Sequence, residues 1–336
     1  TLPAEKTEII FDRSDRVLAH PNTLTFTSYG RDEEVLGTQT YLSVGGGSIR
    51  REGEAPHKAD EIYPFPDFSS IRAYCEREGI TLGDVPFRFE NDLFRKHLGD
   101  IWRTMQETAE RGLSQEGRLP GALKIERKAP TLYRAYLADR SDDKRLICSY
   151  AYATAEENAS GGIVVTAPTC GASGVLPAVL LYLRDKYGIS EDKILHALAA
   201  AGMVGNVVKT NASVSGAEAG CQAEIGTATS MAAAAVCSIM GQSLETTEYA
   251  AEIALEHQLG LTCDPVGGYV QIPCIERNAV AALRALDSAD LADVLSGTRK
   301  ISFDLIVRTM YETGRDLDAR YRETGEGGLA SGYKIC

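Results

Sequence analysis

Gly216-Ala-Glu-Ala-Gly-Cys221-Gln222, Leu261-Thr-Cys263-Asp-Pro-Val-Gly-Gly268 and Ile272-Pro-Cys274-Ile-Glu-Arg-Asn278 are three stretches of one 336-residue chain, each with a cysteine close to glycine or proline. Both residue types break regular structure, and glycine lets backbone approach a bulky ligand closely. None of the three cysteines is therefore placed as a core filler. The ten residues between Cys263 and Cys274 include Gly267, Gly268 and Pro273, so this segment reads as a loop. Cys221 comes from a distant one. Three thiolates converging from separate loops, with no fourth cysteine nearby, suit a metal cluster with one open coordination position.

Outward from these loops the chain reads as helical. Phe89 to Arg111 carries Leu93, Phe94, His97, Leu98, Ile101, Trp102 and Met105 at three- and four-residue spacing, the mark of an amphipathic helix. Ser190-Glu-Asp-Lys opens another with a cap and first-turn acids. Thr227 to Met240 holds four consecutive alanines, and Ser243 to Gln258 is capped by serine with Gly260 as its expected C′ glycine. Further helices are expected over Asp67 to Cys75, Leu176 to Leu183, Asp287 to Leu295 and Phe303 to Arg322. Cys75, Cys148 and Cys237 lie on helical stretches and read as structural thiols.

Residues 1 to 48 differ. Glu8 to Phe11, Leu24 to Tyr29 and Gln39 to Val44 are short β-prone runs, the last entering Gly45-Gly-Gly47. They read as the end of a sheet domain whose beginning is absent, followed by a charged, Pro-containing linker over 49–66 and a helical domain over 67–336. The chain opens on Thr1 without an initiator Met or signal sequence, which reads as a processed or truncated product.

Lys and Arg total 35 against 47 Asp and Glu, a net charge of −12 with no basic run, which argues against nucleic acid and anionic membrane as partners. Ile163 to Leu183 is uncharged, yet it holds Pro168, Pro177, Gly171 and Gly174 and reads as buried irregular backbone and helix rather than a span of ~20 apolar residues. Eight irregularly spaced cysteines make neither a disulfide scaffold nor a zinc finger, so reduced cytoplasmic thiols are expected.

Two further segments carry chemistry. Ser160-Gly161-Gly162 leads to Thr166-Ala-Pro-Thr169-Cys170-Gly171-Ala-Ser173-Gly174, a Gly/Ser/Thr-rich loop ahead of a helix. Its backbone amides and the helix N-terminus suit a substrate carboxylate, with a tight interior turn as the alternative. Lys209-Thr-Asn211-Ala-Ser213-Val-Ser215-Gly-Ala-Glu218 gathers a cation, an amide, the hydroxyls of Ser213 and Ser215, and an acid. That density suits a small zwitterion, the acid taking its ammonium, and a capped helix start with a solvated Lys209 is the alternative. His257 either faces the site or caps its helix. Asp264 reads as an organiser of loop backbone. Cys336 ends a Gly-rich tail that is either a disordered end or a reach towards an open metal position.

At these residues the sequence resembles the iron–sulfur-dependent bacterial L-serine dehydratases. The carrying segments are Ser160-Gly-Gly-Ile-Val-Val-Thr-Ala-Pro-Thr169, Asn211-Ala-Ser-Val-Ser-Gly-Ala-Glu-Ala-Gly-Cys-Gln222, Leu261-Thr-Cys-Asp-Pro-Val266, Ile272-Pro-Cys-Ile-Glu-Arg-Asn278, Met310-Tyr-Glu-Thr-Gly314 and Tyr321-Arg-Glu-Thr324. The resemblance, which spans essentially the whole chain, implies a mainly α fold: a helical catalytic domain preceded by a short β-rich remnant of an α/β N-terminal domain. It implies a homodimer and a [4Fe–4S] cluster on Cys221, Cys263 and Cys274, with Cys336 on the fourth iron until substrate displaces it. It implies loss of water from L-serine to give pyruvate and ammonia, with Lys209 and His257 the first suspects for the base within this chain. The family's N-terminal Ser-Ser-Ser-His-Thr motif is absent here, so a base carried on that motif would have to come from another segment. Two rival readings remain: a cluster lyase for cysteine or another β-substituted amino acid, and a non-catalytic iron–sulfur sensor.

Overall fold

The computed structural model describes residues 6–10, 18, 20, 22–44, 47–55 and 61–333. By its contacts the chain divides into two compact units, one holding residues 1–44 and 49–55 and the other holding 45–48 and 56–336.

The first unit is a three-stranded antiparallel sheet in the order β1 (Thr23–Tyr29), β2 (Val35–Ser43) and β3 (Ile49–Arg51). Thr25 faces Thr40 in register, their hydroxyls 3.0 Å apart, and the Phe26 ring meets Tyr41 edge-on at 5.9 Å. Such cross-strand pairs hold register where no apolar face does. The stretch from residue 49 read as linker begins with the third strand. Glu8 to Ile10 form no strand, and Phe11 lies outside the described residues.

The second unit is all helix and loop: α1 (Phe68–Glu78), α2 (Asp84–Phe89), α3 (Phe94–Ser114), α4 (Ala129–Ala138), α5 (Asp143–Ala159), α6 (Val175–Tyr187), α7 (Glu191–Asn211), α8 (Gly216–Ala219), α9 (Thr227–Met240), α10 (Leu244–Glu256), α11 (Cys274–Leu295), α12 (Phe303–Asp316) and α13 (Gly328–Gly332). At its centre stands α9, packed on α6, α7, α10 and α11. Its four alanines explain the position. Ala232, Ala233, Ala234 and Ala235 are fully buried, and so short a side chain lets several neighbours approach one axis. Together with the turn before it, Gln222–Met240 is long and apolar enough to cross a bilayer, but 89% of it is buried among the other helices, as a core helix is.

Polar caps set several boundaries. Asp67 accepts from Ser70 N at 2.8 Å, and Ser243 from Thr246 N at 3.1 Å, each satisfying an orphan donor of the first turn. Elsewhere the boundaries move. α10 ends on His257 rather than running to a C′ glycine at Gly260. α12 stops at Asp316, and the expected Asp287–Leu295 helix is the second half of α11, which starts at Cys274. α5 escapes any amphipathic pattern because it is buried almost all round from Leu146 to Glu157.

Candidate functional site

The three cysteines arrive on three kinds of backbone. α8 stops at Gly220, which has a φ of 75° and passes so close to Leu261 that a Cβ would lie 2.7 Å from its carbonyl oxygen. Glycine is required there on both counts. Cys221 follows, and Gln222–Gly226 form a π-helical turn before α9, a distortion common at functional sites. Cys263 lies in a short parallel pairing with the C-terminal segment: its N–H donates to Tyr321 O and its carbonyl accepts from Glu323 N, both at 2.7 Å. Cys274 is the first residue of α11. One turn on, the Asn278 amide donates to Cys274 O at 2.8 Å and Gly171 O at 2.7 Å and accepts from Gly174 N at 2.8 Å. Asn278 thus fastens the Gly-rich loop to the Cys274 helix.

Cys221 and Cys263 are buried. The neighbouring Cys263 thiol first, and the Arg277 guanidinium with it, pull Cys221 down to about 7 against the effect of burial, while Cys263 is pushed up by the Cys221 thiol and by burial. Burial, and after it the charges of Cys221 and Glu224, raise Cys274. Arg277 also donates to Thr262 O at 2.6 Å.

A buried acid completes the group. Glu224 lies 3.7 Å from Cys263 Sγ through Oε1 and accepts from Thr169 Oγ1 at 2.5 Å through Oε2. Burial first, and then the neighbouring charges of Cys221 and Glu323, raise its carboxyl to about 8. Cys263, Glu224 and Glu323 each bring a ligand atom within 4.8 Å of the others. Glu323 holds a left-handed φ of 61°, which a non-glycine residue keeps only where its surroundings impose it. Two glycines leave space for the carboxylate: a Cβ on Gly216 would stand 2.3 Å from Glu224 Oε1, and one on Gly171 3.1 Å from Oε2. Sulfur and oxygen donors around one buried point can hold a metal ion or, through the thiolates, an iron–sulfur cluster.

The remaining residues singled out in the sequence divide. Thr169 and Gly171 lie against Glu224, and Ser173, fully buried just before α6, has a hydroxyl with no hydrogen-bond partner among the described residues. Ser160 instead ends α5 and accepts from Arg127 at 2.7 Å, while Gly161 and Thr166 are exposed. Ser213 donates to Glu218 and accepts from Ser215 N at 3.0 Å, a local loop that leaves Glu218 exposed. Asn211 donates to Pro66 O and Val207 O at 2.8 and 3.0 Å. Lys209 is exposed on the last turn of α7, and His257 is exposed with Nδ1 2.8 Å from Ile253 O of its own helix. Among the described residues neither of these two bonds to a cysteine or to Glu224. Cys336 lies outside the described residues.

Residues 29–330 match the family model described as serine dehydratase alpha chain, and residues 3–54 match that of the serine dehydratase beta chain. The L-serine dehydratase of Haemophilus influenzae is 44% identical over 96% of this chain and 74% of its own length. That of Streptomyces coelicolor is 43% identical over 98% and 76%, and L-serine dehydratase 2 of Escherichia coli 42% identical over 96% and 74%. The chain belongs to the serine dehydratase family. In this serine dehydratase the acid at the cysteines is Glu224, three residues beyond Cys221, not Glu218, three residues before it. The sequence signal was slight: one acid in the apolar run Gln-Ala-Glu224-Ile-Gly. Glu323, Arg277 and Asn278 carried still less, because each acquires its meaning from a partner 50 or more residues away or from a loop carbonyl.

Proposed function

We propose that the chain converts L-serine to pyruvate and ammonia at a [4Fe–4S] cluster held by Cys221, Cys263 and Cys274. What supports the reading is a buried carboxylate 3.7 Å from Cys263 Sγ, with Cys221 and Cys274, from two other segments, near enough for the charges of Cys221 and of that carboxylate to act on Cys274. The donor set fits: cysteine sulfurs are the ordinary ligands of such clusters, and three of them leave one iron open. When bound, the cluster supplies a Lewis acid for the serine hydroxyl, whose departure as hydroxide is otherwise slow.

The chain's own groups do the rest. The backbone amides of Thr169, Cys170 and Gly171 and the Ser173 hydroxyl, which has no hydrogen-bond partner among the described residues, take the carboxylate ahead of α6. Glu224, which has no Lys or Arg in ion-pair contact among the described residues, takes the ammonium, since a buried carboxylate gains most from a cation brought to it. Thr169 fixes the orientation of that carboxylate. Removal of the Cα proton and loss of the hydroxyl give aminoacrylate, which tautomerises and hydrolyses to pyruvate and ammonia. The proposal extends to a homodimer in the cytoplasm, in line with the family resemblance.

The test is anaerobic reconstitution with iron and sulfide, followed by pyruvate (2-oxobutyrate for threonine) release from serine, threonine and cysteine. The reading expects a visible iron–sulfur chromophore and serine as the preferred substrate, with both chromophore and turnover lost on oxygen and chelator. Turnover that survives removal of the iron would refute it.

A further inference from the structure

The C-terminal segment from Asp318 to Gly332 runs beside the Cys263 loop as a strap. Its upper part pairs with Cys263 on both sides of the peptide, through Tyr321 O and Glu323 N at 2.7 Å each, and Arg322 donates to Glu218 O at 3.1 Å on the stretch leading to Cys221. Its lower part is anchored by a buried carboxylate. Asp264, 3% exposed, accepts from Leu329 N at 2.6 Å through Oδ2, at the first turn of α13. Gly328, beside it, has a φ of 54°, and a Cβ there would stand 2.0 Å from that same oxygen, so the strap can lie this close only as glycine. The other carboxylate oxygen turns inward. Asp264 Oδ1 accepts from Thr262 Oγ1 at 2.9 Å and lies 3.7 Å from Arg277, the guanidinium that donates to Thr262 O and whose charge helps lower the Cys221 thiol.

We infer that Asp264 is a positioning residue that clamps the strap to the Cys263 loop with one oxygen and steadies Arg277 against Cys221 with the other. Docking of the strap and placement of two ligand thiols are then one event. The sequence reading assigned Asp264 only to loop backbone. The coupling to the strap comes from the pairing of both its oxygens. The inference rests on the proposed function only in calling Cys221 and Cys263 ligands; the contacts stand without it.

The experiment compares wild type, Asp264→Ala, Asp264→Asn and Gly328→Ala as full chains, with and without iron and sulfide. Hydrogen exchange of residues 318–332 reads the strap, and alkylation rates at Cys221 and Cys263, resolved by mass spectrometry, read the thiols. Loss of a hydrogen bond to a charged acceptor raises local opening on the order of tenfold or more. Exchange in the strap and alkylation of Cys263 in the metal-free chain are both expected to rise by that factor in Asp264→Ala and Gly328→Ala. Asp264→Asn, which keeps the volume and one acceptor, is expected between them and wild type. In the loaded chain the chromophore decays faster under chelator in the same order. A strap that loosens while alkylation stays at the wild-type rate overturns the coupling. An unchanged strap in Asp264→Ala removes Asp264 as its anchor. A wild type that forms no chromophore counts against the cluster alone, because exchange and alkylation are read without it.

Discussion

Two buried glutamates of the helical unit have different company. Glu248 on α10, 2% exposed, pairs with Arg299, with Arg72 at 3.3 Å, and accepts from Phe303 N at 3.3 Å. It joins α1, α10 and the start of α12. Glu224, 8% exposed, has a hydroxyl and a thiol as its hydrogen-bond partners among the described residues and a second carboxylate nearby. A carboxylate taken from water loses several kcal/mol of hydration, and only charge partners and good geometry return it. Around Glu248 the fold supplies them. Around Glu224 it supplies two glycines and a raised pKa, which is the arrangement of a site kept for something that arrives.

The largest way to sharpen this contrast is Glu224→Gln. Serine turnover of the reconstituted chain should fall by about 10² or more, since the substrate ammonium loses its carboxylate partner and the substrate its alignment, while the melting temperature holds or rises. Glu248→Gln should do the reverse. It leaves Arg299 without its partner and should cost about 3 kcal/mol of stability in denaturant melts, with turnover per folded molecule unchanged. Equal losses of stability in the two variants would erase the distinction.

A smaller effect concerns Glu252, one turn along α10 from Glu248. Burial first, then its bond to Glu256, raises it from 4.5 to about 8, with Arg299 opposing. Because the folded value lies above the unfolded one, its contribution to stability is full below the ordinary carboxylate range and is lost as pH rises through about 8. Thermal melts should therefore fall with pH across that window, and Glu252→Gln should flatten the slope. The smallest effect is expected at Lys209→Ala and His257→Ala. Both side chains are exposed and bond to no site residue, so turnover should stay within about twofold. A loss of orders of magnitude in either would return it to the site as base.

The amphipathic and Ala-rich helices were legible because burial of apolar surface leaves a period in the sequence. α9 was expected over Thr227 to Met240 and is found there. Glycine and proline beside the three cysteines marked breaks in regular structure, and Cys221 and Cys263 do lie between helices, whereas Cys274 opens one. Strand propensity failed at Glu8 to Ile10, where Ile9 and Ile10 are 76% and 80% exposed and no partner strand is paired among the described residues. Glu224, Arg277 and Asp264 were legible only in part. A polar residue's role depends on who faces it, and Thr169, Cys221 and Leu329 face them from segments that no local pattern joins.

The central claim is that Cys221, Cys263 and Cys274 together hold the iron on which serine dehydration depends. Its most direct test is the iron and sulfide content of anaerobically reconstituted wild type and of Cys221→Ser, Cys263→Ser and Cys274→Ser, with pyruvate release measured on the same samples. The account expects about four irons per chain in wild type and coordinate loss of iron and turnover in each variant. Cys75→Ser, on α1 and away from the group, should change neither. A variant of any of the three that keeps full iron and full turnover would contradict it.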